Sequence, residues 1–394
     1  MLLKNISILY GKNLEYIPLT DLQISNQVFG KIGKKLPREN NIIDCEGLLL
    51  VPGFVNAHTH IGDSIAKDVT LKGTVDSKIH PVLGAKSRIL KQTMPGHLAT
   101  FMKNTCFSML KKGITTFVDF REGGLDGALL LKKVASQVPI RAVILGRLEY
   151  YQDKNQIKKN TPLDISHKTR LEKILKTCDG IGISGSNENS DSVLKYYSKT
   201  KKIRAIHSSE TTESSQLSKK LTGKTETTRA LLLKPHFLIH MTYANRTDLK
   251  STASKTNGIV ICPRANAALA EGIPDFAFMT KNGCTVAIGT DNVMINSPDM
   301  FREMDYLWKV YMGLHKTRID PKQILKMATI NGGILLGKKI GSIETGYLAD
   351  AMFVDKHAID LEPMHNPHAS LVHRASESAI KAVMIGGKII HGKL

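Results

Sequence analysis

The chain has 394 residues, 42% of them hydrophobic, enough for one large core and a smaller unit beside it. No apolar stretch approaches the roughly 20 residues that a membrane helix needs, so no membrane span is expected. The 55 basic residues against 35 acidic ones give a net charge of +20, but the lysines are spread along the chain without a nucleic-acid motif. A solvated basic surface and no specific nucleic-acid partner are therefore expected.

The opening residues, "MLLKNISILYGKNLEYI", read as two alternating strands around "YGKN", without the apolar core and small-residue cleavage site of a secretion signal. Short β-rich segments continue to residue 51. From residue 52 the pattern changes. The strand candidates "LLLVPGFVNAH", "TTFVDF", "IRAVILGR", "GIGIS", "IRAIHSS", "FLIHMT", "GIVICPR" and "TVAIGTD" alternate with helical stretches such as "LATFMKNTCFSMLKKG" and "DGALLLKKVASQV". "SPDMFREMDYLWKVYM" predicts a helix capped by Ser297, with Pro298 at its first position and Asp299 in its first turn. Eight strand-then-helix units over residues 52–335 predict an α/β fold, a parallel (β/α)8 barrel of the TIM type. Residues 336–394 return to short strands. Neither they nor residues 1–51 are long enough to fold well alone, and the two are expected to form one small β-sandwich beside the barrel. Cys45, Cys106, Cys178, Cys262 and Cys284 lie far apart with no CxxC, which predicts free thiols and a cytoplasmic chain.

Side chains two apart in a strand share a face, so His58 and His60 in "VPGFVNAHTHIGDS" point the same way at the end of the first barrel strand. Alone the pair is a weak signal, because with 14 histidines about half an HxH is expected by chance. The other strand ends strengthen it. His207 ends the fifth strand in "IHSSET", His240 lies in "LIHMT" of the sixth, and Asp291 ends the eighth in "IGTDN". Every parallel barrel strand delivers its C-terminal end to one mouth, where active sites of this architecture sit. Histidines and a carboxylate converging there suit a divalent ion such as zinc, or iron. Glu210 follows His207 by three residues, over the same mouth. Each residue alone has an ordinary reading, a satisfied polar group at a strand end or a helix cap. Their joint placement at strand ends does not.

These segments, together with "GITTFVDF", "CPRANAALAEG", "ATINGGILLG" and "GSIETGYLAD", resemble the metal-dependent amidohydrolase superfamily, in the branch of guanine deaminase, other aromatic-amine deaminases and triazine hydrolases. The resemblance implies that His58, His60, His207 and Asp291 bind the metal, that Glu210 carries protons and that His240 is the electrophilic partner. Binuclear members resemble one another in a fourth-strand lysine; "GIGISGS" has none, which implies one ion. The implied reaction is hydrolysis of a non-peptide carbon–nitrogen bond, foremost deamination of a heterocyclic amine by metal-activated water. Hydrolysis of a cyclic amide or another leaving group is the alternative among enzymes, and a catalytically inactive basic scaffold the alternative outside them.

The chain also departs from the branch. Ala265 stands in "PRAN" where a serine is common, and residues 61–100 carry no Phe, Tyr or Trp but do carry Lys67, Lys72, Lys78, Lys86, Arg88 and Lys91. Arg264 and Asn266 of "CPRAN" are candidate substrate contacts. The Arg264 fork predicts a small-molecule substrate with an anionic substituent, and a loop brace to Glu271 or Asp275 is its plainer role. A homo-oligomer is compatible with the sequence.

Overall fold

The computed structural model describes residues 1–37, 39–69 and 75–394. Lys72 lies outside the described residues.

The two ends of the sequence meet in one eight-stranded sheet. Its order is Lys388–Gly392, Ile380–Ile385, Ala351–Asp355, Leu48–Pro52, Leu2–Tyr10, Glu15–Ser25 and Val28–Gly33, with Ile42–Asp44 also paired to Leu2–Tyr10. Ile6, Ile8, Leu50, Phe353 and Met384 form its core.

The barrel sheet contains Phe54–His60, Ile114–Arg121, Arg141–Gly146, Gly180–Ile183, Ile203–Ser208, Phe237–His240 and Gly258–Ile261, followed by Val286–Ile288 and Asp291–Asn292. All its pairings are parallel. The first two strands are buried at every residue. That is why they read as near-continuous apolar runs rather than as alternation. Val286–Ile288 pairs with Gly258–Ile261, while Asp291 and Asn292 pair with Thr59 and His60 of the first strand. The two short pieces act as one eighth strand that returns the sheet to its start. Gly289 lies between them, and a Cβ there would sit 2.7 Å from the His58 Cβ. Only a residue without a side chain lets the eighth strand pass this close to the first.

The sequence reading of residues 48–58 as one strand requires correction. The chain changes sheets at Gly53. Leu48–Pro52 pairs antiparallel with Ala351–Asp355, whereas Phe54–His60 pairs parallel with Ile114–Arg121. A Cβ at Gly53 would come within 2.3 Å of Thr115 Oγ1. Apolar periodicity does not reveal the break, because both pieces are almost wholly buried. A second correction concerns Met300–His315. Its cap is Asp299, whose Oδ1 accepts the Arg302 N–H at 3.2 Å, and Ser297 and Pro298 precede it. Serine and aspartate cap equally well, so their order alone does not decide.

All five cysteines are free and buried. Among the described residues, no helix is long and apolar enough to cross a membrane.

Candidate active site

The strand ends place the anticipated side chains together. His58 and His60 are buried, with ring centroids 4.9 Å apart. His207 Nε2 lies 3.2 Å from His58 Nε2. Asp291 Oδ1 lies 3.3 Å from His58 Nε2 and 3.6 Å from His60 Nε2. His240 Nε2 lies 3.2 Å from Glu210 Oε1. Two of these residues, His240 at φ 69° and Asp291 at φ 59°, occupy the left-handed backbone region. Such strain persists where packing over-determines it and concentrates at functional sites.

Hydrogen-bond partners fix the ring tautomers. His60 Nδ1 lies 3.1 Å from the Phe120 carbonyl and 2.8 Å from Glu122 Oε1. His207 Nδ1 lies 2.9 Å from the Ile183 carbonyl. Each Nδ1 therefore donates, and each Nε2 is left as a bare lone pair. Burial holds the imidazoles neutral: it lowers His58, pushes His60 down to about 3 and takes His207 well below the usual range. Burial alone would raise Asp291, but its hydrogen bond with His58, followed by the neighbouring His240 and His60 rings, lowers it. Lone pairs of His60 and His207 thus converge with a carboxylate in a buried space. This donor set suits a borderline divalent cation. The ligand atoms of His58, His207 and His240 lie within 4.8 Å of one another, as do those of Glu210, His240 and Asp291.

Cys262 was not anticipated. Its sulfur joins His58 and Asp291 within the same 4.8 Å. Burial, then the charges of Asp291 and Glu303, hold its thiol protonated. Glu271 also enters the site. Burial raises the Glu210 carboxyl, with His240 opposing and Asp291 adding to the rise. Burial and the neighbouring Glu210 raise Glu271 as well. Two carboxyls this close in a dry site do not ionise together.

The two tentative substrate contacts have other partners. Asn266 is buried; its Oδ1 faces His240 Nδ1 at 3.3 Å and its Nδ2 donates to Glu271 Oε2 at 3.1 Å. It orients the site's own groups. Arg264 lies in the short helix Pro263–Ala268, which turns it aside. Its Nη1 donates to the Ser297 carbonyl at 3.3 Å and lies 3.4 Å from Glu303 Oε1, and its Nη2 donates to Asn296 Oδ1 at 3.4 Å. The brace runs to Glu303, not to Glu271 or Asp275. Arg264→Ala should therefore cost about 1–3 kcal/mol of stability, because buried Glu303 loses a partner, and should barely change KM. Urea unfolding beside steady-state kinetics checks this; a large rise in KM at unchanged stability would restore a substrate role.

A small cavity of about 130 Å³ includes His60, His207, Glu210, His240 and Asp291 in its wall. A larger chamber of about 800 Å³ adjoins it, and the two share Ile79, Pro81, Lys86 and Arg147. Lys86 stood out in the sequence only as one of several basic residues. It is buried, 2.6 Å from Glu122 Oε1 and 3.5 Å from Asp63 Oδ2. Nothing in the local sequence marked Glu122, Asp63 or Arg147, because partners such as His60, Lys86 and Asn292 lie far away along the chain.

Among known proteins, the chain is 34% identical over 374 residues to a putative aminohydrolase of Methanothermobacter thermautotrophicus, covering 94% of each chain. It is 28% identical to a 5-methylthioadenosine/S-adenosylhomocysteine deaminase of Thermococcus sibiricus, covering 99% of this chain and 93% of the other. The crystal structure of zinc-complexed atrazine chlorohydrolase from Arthrobacter aurescens superposes with a TM-score of 0.85 at 16% identity, over 99% of this chain and 95% of that one. The sequence profile of the amidohydrolase family matches residues 49–390. With that match covering the whole barrel sheet and every strand end of the site, the chain belongs to the amidohydrolase family.

Proposed function

We propose that this hydrolase deaminates a heterocyclic amine, using one divalent ion, zinc foremost, held by His58, His60, His207 and Asp291. The observation that carries the reading is that His60, His207 and Asp291 join Glu210 and His240 in the wall of one small cavity, with His58 against His207 and Asp291. When bound, such an ion lowers the pKa of water from about 15.7 toward 7 and so supplies a nucleophile at neutral pH. The chain's own groups do the rest. Asp291, held ionised, accepts the proton of the attacking water. Glu210, whose carboxyl is raised, gives its proton to the ring nitrogen, and the proton that Asp291 took from water then passes by way of Glu210 to the departing amine. His240, fixed through Asn266, stabilises charge at the oxygen that forms.

The cavities speak to substrate shape. Ligand pockets usually measure about 300–1,000 Å³, so the 130 Å³ space fits only the reacting ring and the 800 Å³ chamber fits a substituent. The Thermococcus sibiricus relative is named for substrates of that build, a purine ring with a large substituent. Arg147 and Lys86 stand on the shared wall, with Arg147 Nε 3.6 Å from Glu149 Oε1. These two side chains, rather than Arg264, support an anionic substituent. The barrel of residues 52–335 is the catalytic domain in this reading, and residues 1–51 and 336–394 form a small β-sandwich beside it.

The test is ammonia release by zinc-loaded protein from adenosine, 5-methylthioadenosine, S-adenosylhomocysteine and guanine, with chloride release from atrazine in parallel. Ammonia from a substituted ring, faster than from guanine, is expected. Zinc-loaded protein that frees chloride but no ammonia would move the reading to another leaving group.

A further inference from the structure

Glu122 follows the second barrel strand and touches no part of the small cavity's reacting side except through His60. Its Oε1 accepts from His60 Nδ1 at 2.8 Å and from Lys86 Nζ at 2.6 Å. Its Oε2 accepts from Arg121 Nη2 at 2.8 Å. Arg147 Nη2 stands 3.7 Å from Oε1. The backbone is pinned as well: the Glu122 carbonyl accepts from Arg121 Nε at 2.9 Å, and a Cβ at Gly127 would lie 1.9 Å from that carbonyl oxygen. Lys86 also reaches Asp63 Oδ2 at 3.5 Å, and Asp63 accepts from Asn292 Nδ2 at 2.7 Å and from the Met294 N–H at 3.0 Å. A frame of buried charges thus runs from the residue after Asp291, through Asp63 and Lys86, to Glu122 and His60.

An imidazole whose Nδ1–H is held by a carboxylate keeps one tautomer and one orientation, and its Nε2 becomes a stronger donor. We propose that Glu122 is a positioning residue for the divalent ion: it fixes His60 with Nε2 toward Asp291 and sets the donor strength of that ring, while Arg121, on its other oxygen and its carbonyl, holds Glu122 in place. This rests on the metal reading above. It differs from a structural ion pair in one respect. A structural pair supports the fold alike from either partner, whereas positioning runs only through the oxygen that touches His60.

Zinc affinity, measured by competition with the chelator 4-(2-pyridylazo)resorcinol, separates the two. Glu122→Gln, which removes the charge behind His60, should weaken zinc binding about 10- to 100-fold. Lys86→Met leaves the carboxylate on His60 and should bind zinc with near wild-type affinity, although both variants lower the unfolding temperature of the metal-free protein. In the cobalt-substituted protein, the visible ligand-field bands should shift in Glu122→Gln and stay in place in Lys86→Met. If Glu122→Gln does not fold, Glu122→Asp carries the test, since it keeps the charge but shortens the reach to His60, and weaker zinc binding is again expected. Wild-type affinity in the Glu122 variant, or an equal loss in Lys86→Met, overturns the positioning role and leaves the metal reading intact. A wild-type protein that binds no zinc overturns both.

Discussion

Replacing Glu210 by glutamine is expected to lower turnover by about 10² to 10⁴-fold while the protein keeps its ion. The two halves of that expectation come from separate observations. Glu210 Oε1 faces His240 Nε2 at 3.2 Å, and the carboxyl sits in a buried wall that raises its pKa. A glutamine fills the same space and preserves a polar contact, yet it has no acidic proton to give to a ring nitrogen. The lone pairs that would meet the metal belong to other residues, so metal content should not follow activity. The neighbouring Glu271 sharpens the test. It is a second raised carboxyl close by, held by Asn266. Single-turnover kinetics should show the lost step as proton transfer, with ligand affinity little changed. A Glu210→Gln enzyme within a factor of about two of wild type would remove Glu210 from the proton path and direct attention to Glu271.

The double variant His58→Ala, His60→Ala is expected to lose both the ion and all measurable turnover. Elemental analysis should give close to one zinc or iron per wild-type chain and almost none in the variant. The reason is local. These two rings are the ones that Asp291 Oδ1 approaches, at 3.3 and 3.6 Å, and removing them leaves one carboxylate and His207. A stoichiometry near two would sink the single-ion reading. The fourth strand, Gly180–Ile183, contains only glycine and isoleucine, so it offers no lysine to bridge a second ion. Retention of the ion by the double variant would instead sink the ligand assignment, with His58, His207 and His240 each needing reassessment.

The sequence showed the clustered rings clearly and their supports hardly at all. His58, His60, His207, His240 and Asp291 were legible because a parallel barrel sends every strand end to one place, so residue type and strand order together imply proximity. Arg264 also follows a strand, but the chain enters a helix at Pro263 and its side chain lies 3.4 Å from Glu303. Helix entry one residue after a strand has no hydrophobic signature. Glu122, Lys86 and Asp63 were illegible because their meaning lies in pairing across different loops. The sheet change at Gly53 was hidden because burial on both sides erases periodicity.

The sheet that joins the two ends has a consequence for the order of events during synthesis. Leu48–Pro52 has Leu2–Tyr10 on one side, but on the other it waits for Ala351–Asp355, and the Lys356 ammonium donates to Ser7 Oγ across 349 residues. At about 5–20 residues per second the ribosome takes roughly 15 to 60 s after Pro52 to make that partner. During that interval a strand of leucine, valine and proline presents an unpaired edge beside a hairpin that is already complete. Exposed apolar edges recruit other strands, including those of neighbouring nascent chains. Immediately after this edge comes the strand that carries His58 and His60, so an early mispairing would displace these two rings before the eighth strand exists to receive them. Yield of active enzyme should therefore depend on translation speed and chaperone supply more than the finished molecule's stability suggests.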